Sequence, residues 1–170
     1  NSRKVSYIHR IFNQLFYGSI LYEKIFNEKS QLTEKPLIDL DNIILDDNLM
    51  AKLKNRFGTK IATVTGRGNF AFSYSMKNFL DNFDMKNSVF LEDHPLNMAK
   101  PNPKSLIESI SGINSKCSLY IGDSMEDLMM VEKCKENGYD VSFCGIYGSS
   151  DEPELKYELF QKNKASFILE

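Results

Sequence analysis

Short apolar runs rich in β-branched residues alternate with segments of helical spacing along most of this chain, and several runs end on a polar cluster. That alternation predicts an α/β fold, a doubly wound parallel sheet whose helices cover its faces. Asp46 or Asp47 is placed to cap a helix running through Leu49, Met50, Leu53 and Phe57, with Gly58 as its stop. A strand over 60–64 follows, then a helix over 70–83, a strand over 88–91 and a helix over 104–111. The pattern closes with a strand over 118–121, a helix over 125–137 stopped by Gly138, a strand over 141–146, a helix over 153–162 and a strand over 165–169.

Ahead of this block, residues 5–27 place Val5, Ile8, Phe12, Leu15, Phe16, Ile20, Ile25 and Phe26 at helical spacing, and Gly18 offers a break between two short helices. A polar stretch over 28–36 ends at Pro36, so the chain divides into 1–45, helical with a linker, and 46–170, the α/β core. It opens Asn1-Ser2-Arg3-Lys4 without Met and without an apolar leader, the expected look of a fragment or processed product.

Composition excludes several classes. At 170 residues, 42% hydrophobic and 26% charged, the chain suits one domain, or one plus a small appendage. Its 21 basic residues against 23 acidic ones leave no electrostatic footprint for nucleic acid. No apolar run reaches the roughly 18 residues of a transmembrane helix, so no membrane partner is expected. Cys117, Cys134 and Cys144 form no C-x-x-C pair and read as reduced thiols of a cytoplasmic protein. His9 and His94 are too few and too separated for a metal site, and Met129, Met130 and the aromatics of 70–83 read as core or semi-core.

Ligands of open α/β sheets bind outside the carboxyl ends of the strands, and three polar clusters fall there. Thr65-Gly66-Arg67 offers a hydroxyl and backbone amides at a helix entry, an anion cradle or an ordinary turn. Lys100, in Ala99-Lys100-Pro101-Asn102-Pro103, is a cation on a proline-stiffened approach, or a solvated lysine before a helix. Gly122-Asp123-Ser124-Met125-Glu126-Asp127 sets Asp123 at a strand end and Asp127 in the first turn of the next helix, suited to a hard cation such as Mg²⁺ or to capping that helix.

Lys100 follows Thr65 by 35 residues and Asp123 follows Lys100 by 23. In that order the three clusters resemble the second, third and fourth motifs of the haloacid dehalogenase-like superfamily of hydrolases. The likeness extends over roughly 46–170. Val64-Thr65-Gly66-Arg67, Lys100-Pro101-Asn102-Pro103 and Gly122-Asp123 look most like its phosphoglycolate-phosphatase-like branch. Residues 5–35 look like the closing helices of a small helical cap. The resemblance implies a Mg²⁺-dependent phosphatase acting on a small phosphorylated metabolite through an aspartyl-phosphate. Thr65, Gly66 and Arg67 would hold phosphoryl oxygens, and Lys100 would offset charge. Asp123 would anchor the metal, and Asp127 would either bind near the metal or fix the loop and Lys100 from behind.

The first motif of that family, a strand ending in Asp-x-Asp, has one candidate here, Asp39 and Asp41 in Leu37-Ile38-Asp39-Leu40-Asp41-Asn42. Only about four residues separate it from the next helix, a short span for the turn and hairpin that follow such a motif. In the resembled fold the nucleophile strand lies between those ending at Val64 and Ile121. It would therefore come from an upstream segment, from 37–41, or from another polypeptide. A rival reading is a non-catalytic binding or scaffold protein that keeps the fold and has lost the nucleophile. A receiver-type signalling domain is more remote.

Overall fold

The computed structural model describes residues 7–170; Val5 and the opening Asn1-Ser2-Arg3-Lys4 lie outside the described residues. The architecture is α/β, and every strand pairing among the described residues is parallel. Helix α1 (Tyr7–Phe26) leads through a 3-10 turn (Leu37–Leu40) to α2 (Asp47–Phe57), β1 (Val64–Thr65), α3 (Asn69–Ser75) and β2 (Val89–Phe90). Next come α4 (Lys104–Gly112), β3 (Ser118–Gly122), α5 (Met125–Glu136), β4 (Val141–Ile146), α6 (Pro153–Lys162) and β5 (Phe167–Leu169). No helix among the described residues is long and apolar enough to cross a membrane.

Local chemistry explains the boundaries. The Asp46 side chain accepts from the Leu49 amide at 2.7 Å and starts α2, and Gly58 follows its end. Ser124 and Asp127 close a reciprocal capping box on α5, which satisfies two amides that the helix itself cannot. Pro153 opens α6, where its missing N–H costs nothing.

The main core joins Val64, Val89, Leu106, Leu128, Met130 and Phe143 with their neighbours. Met129, expected in it, is 44% exposed, because adjacent helical residues point about 100° apart and Met130 takes the inward place.

Three strands are shorter than the sequence predicts, and α3 stops at Ser75 rather than 83. Phe, Ser and Tyr are mediocre helix formers, and the Ser75 hydroxyl turns aside to Asp41. The chain then continues through turns and a 3-10 segment, Leu80–Asn82. The run over 60–64 contributes only Val64 to a ladder, and the Thr63 amide donates to the Ser88 hydroxyl instead.

Among the described residues the expected single sheet is in fact two, β1–β2 and β3–β4–β5. The run 60–64 faces β3 across a cavity of about 920 Å³, lined by Ile61, Val64, Leu106, Ile110, Leu119 and Ile121. Both sides run the same way. Lys60 Nζ donates to the Asn114 carbonyl at one end, and the Tyr120 hydroxyl lies 3.0 Å from the Val64 carbonyl at the other. Leu119 and Ile121 are half exposed, and Ser118 Oγ, also on the wall, is buried without a hydrogen bond. Strands pair about 4.8 Å apart, so facing edges with no ladder between them define a slot in the sheet.

Helix α1 belongs to a second, smaller cluster of Tyr17, Tyr22, Ile38 and Ala71. Its break at Gly18 is as the sequence predicts: φ is +66°, which a glycine tolerates, and a Cβ there would meet Pro36 at 2.9 Å.

Candidate functional site

Polar side chains gather where β1, β2 and β3 end. Lys100, after the 3-10 turn Leu96–Met98, sends its Nζ to Asp127 Oδ1 at 2.6 Å and lies over the Tyr120 ring at 5.6 Å. Asp127, buried in the first turn of α5, also faces the Tyr120 hydroxyl at 3.0 Å, and its Oδ2 accepts from the Ser124 amide and hydroxyl. Burial pushes this carboxyl up, but the Lys100 hydrogen bond and charge, with help from Ser124 and Tyr120, hold it below the ordinary carboxylate range. Burial raises the Tyr120 phenol, as do Asp127 and Asp123 nearby, so it stays a neutral donor. Sequence offers Asp127 either as a metal ligand or as a residue that fixes Lys100; the fold joins it to Lys100.

The Thr65 turn is partly engaged. Thr65 Oγ1 accepts from the Arg67 amide at 3.3 Å. The Arg67 guanidinium grips Asp41 with two nitrogens, reaches Ser75, and lies over the Phe16 ring. Its hydrogen bond to Asp41 raises the guanidinium and, with Ser75, lowers the Asp41 carboxyl despite some desolvation. The amides of Gly68 and Asn69, at the entry of α3, donate to carboxylates. Gly68 N–H reaches Glu92 Oε2 at 2.9 Å and Asn69 N–H reaches Asp93 Oδ2 at 2.8 Å. Thr65 and Gly66 are therefore the part of the cradle least committed to the fold's own contacts.

Asp123, exposed at the end of β3, takes no hydrogen bond or ion pair from the described residues. No group of three His, Cys, Asp or Glu side chains that could hold a metal occurs among the described residues. Asp123 fits a hard cation as one carboxylate ligand, since Mg²⁺ often takes one or two carboxylates and completes its octahedron with waters and phosphate. Asp127, with both oxygens engaged, fits a supporting place behind Lys100 better than a ligand's place.

Asp39 and Asp41 are both engaged by side chains, Asp41 by Arg67 of the Thr65 turn itself. Asp39, in the 3-10 turn, accepts from the Tyr74 hydroxyl at 2.8 Å.

A cavity of about 520 Å³ opens beside the cluster, lined by Asn13, Phe16, Gly66, Arg67, Lys100 and Glu126 among others. The Tyr17 hydroxyl ties α1 to Glu92, on its wall, at 3.2 Å. Burial, together with the Glu92 charge, keeps that phenol protonated. Sequence reasoning missed Glu92, although the strand-end rule that found Asp123 marks Glu92-Asp93 after β2 equally well.

No protein-family model matches the chain, and no curated protein matches it. Among solved structures the chain is similar to phosphatase Tt82 from Thermococcus thioreducens, with a TM-score of 0.61 and 23% identity over 91% of this chain. The likeness is one of fold. The chain spans 57% of that protein's length.

Proposed function

We propose that the chain carries the phosphate- and metal-holding part of a phosphomonoester hydrolase of the haloacid dehalogenase-like type. The observation that carries this reading is the link between two strand ends: the Tyr120 hydroxyl of β3 lies 3.0 Å from the Val64 carbonyl, next to Thr65 and Gly66, and 3.0 Å from Asp127, which holds Lys100, with Asp123 exposed after β3 and a cavity that Gly66 and Lys100 both line. The likeness in fold to a phosphatase supports it. The Thr65 hydroxyl and Gly66 amide would receive phosphoryl oxygens, and Lys100 would offset their charge. Asp123 would hold Mg²⁺, which when bound polarises the phosphoryl group.

None of these side chains is a suitable in-line nucleophile. Thr65 has no adjacent base, Lys100 is paired with Asp127, and Asp123 is assigned to the metal. The slot between 60–64 and β3 supports a further strand, from an upstream segment or a second chain, that would complete the sheet and bring an aspartate to the phosphate. Its carboxylate oxygen would bond to phosphorus as the ester P–O bond breaks. The leaving oxygen takes a proton, and water then cleaves the aspartyl-phosphate.

Assaying residues 1–170 with Mg²⁺ and p-nitrophenyl phosphate tests this, beside an Asp39→Asn variant. No turnover in either is expected, with activity appearing once the missing strand is supplied. Turnover lost in Asp39→Asn would make Asp39 the nucleophile. The confinement of Asp39 and Asp41 by Tyr74 and Arg67 favours a second reading, a phosphate-binding protein without catalysis. Phosphate binding with no activity, even in a chain carrying the added strand, would establish it.

A further inference from the structure

Asn13 is 3% exposed in the first half of α1, and its carboxamide makes no hydrogen bond with the described residues. It lines the cavity that Gly66, Arg67 and Lys100 also line. Its neighbour Gln14 is equally buried but spent on structure: Gln14 Oε1 accepts from the Gln31 amide at 2.6 Å and from Ser30 Oγ at 3.1 Å. Asn is a mediocre helix former, so an apolar residue would serve α1 better if packing were the whole purpose.

We infer that Asn13 selects the substrate by hydrogen-bonding a hydroxyl or carbonyl on the leaving-group side of the phosphomonoester; this rests on the proposed function. The cations on the cavity wall are already held, Arg67 by Asp41 and Lys100 by Asp127, while Phe12 and Phe16 present apolar rings. The carboxamide adds one acceptor and two donors without net charge. That matches a neutral polar group, and a cavity of about 520 Å³ suits a small metabolite. A leaving group that is wholly apolar would displace water from the carboxamide and return no hydrogen bond.

The test is calorimetric titration of the 170-residue chain, with Mg²⁺ present, by inorganic phosphate, n-propyl phosphate and glycerol 1-phosphate. The wild type should prefer glycerol 1-phosphate to n-propyl phosphate by about tenfold or more, the scale of one buried hydrogen bond. Asn13→Leu and Asn13→Ala should each bring that ratio near one while inorganic phosphate still binds. A ratio near one in the wild type, or one that both variants retain, overturns the inference and leaves the phosphate site standing. The wild-type ratio alone decides the matter should neither variant fold. Failure of all three ligands to bind overturns this inference and the proposed function together.

Discussion

Lys100 Nζ and Asp127 Oδ1 lie 2.6 Å apart, with their side chains only 16% and 4% exposed. Two charges at that depth interact strongly, and each is costly to leave alone. The pair joins the proline-flanked turn before α4 to the first turn of α5, so the position of the ammonium depends on the cap of a helix.

Acid should expose this dependence. The Asp127 carboxyl is held below its ordinary value in the folded state, so its contribution to stability is present above the unfolded pKa of about 3.9. It is lost as pH falls through the lower folded value. Urea midpoints measured from pH 6 down to pH 3 should therefore fall more steeply below about pH 4 in the wild type than in Asp127→Asn. The variant should be less stable at pH 6. Parallel curves would mean that Asp127 is not held charged by Lys100.

Removing the cation is the harsher change. Lys100→Ala leaves a buried carboxylate without its counter-charge, a loss of about 3–5 kcal/mol for a fully buried pair and toward the lower end here. Urea unfolding measures it, and adding Asp127→Asn to the same chain should recover part of the loss. In a catalytically active assembly, Lys100→Ala should also lower turnover at least about a hundredfold. A surface lysine would leave both quantities nearly unchanged.

Gly122 is required by the same pair. A Cβ added there would lie 2.7 Å from Asp127 Cβ, Cγ and Oδ2, too close for any real contact. Gly122→Ala should cost about 1–3 kcal/mol by overpacking and weaken phosphate binding, because the carboxylate that holds Lys100 must move. Thermal melts and phosphate titration check both effects, and a silent variant would show that Asp127 has room to spare.

Much of this was legible in the sequence where the signal is local. The Asp46 cap, the Gly18 break, Ser124–Asp127 at the start of α5 and the strand ends at Thr65 and Asp123 all follow from neighbours within a few residues. What was not legible depends on contacts distant in the chain. Asp41 takes the Arg67 guanidinium, and Glu92 and Asp93 take the amides of Gly68 and Asn69, from positions more than twenty residues away in the chain. Asp123 and Asp127 look alike in sequence; the fold buries one against Lys100 and leaves the other exposed. The strand over 60–64 has the right residues, yet most of it joins no ladder, because pairing belongs to a partner and not to the run itself.

The central claim is that Thr65, Lys100 and Asp123 together hold a phosphate and its metal. Calorimetric titration of inorganic phosphate into the chain, with and without Mg²⁺, tests it most directly, in the wild type and in Asp123→Asn. Phosphate should bind more tightly when Mg²⁺ is present, and Asp123→Asn, which removes one formal charge from a hard-cation site, should abolish most of that gain. Phosphate affinity that is indifferent to Mg²⁺ in both proteins, or no phosphate binding in either, would contradict it.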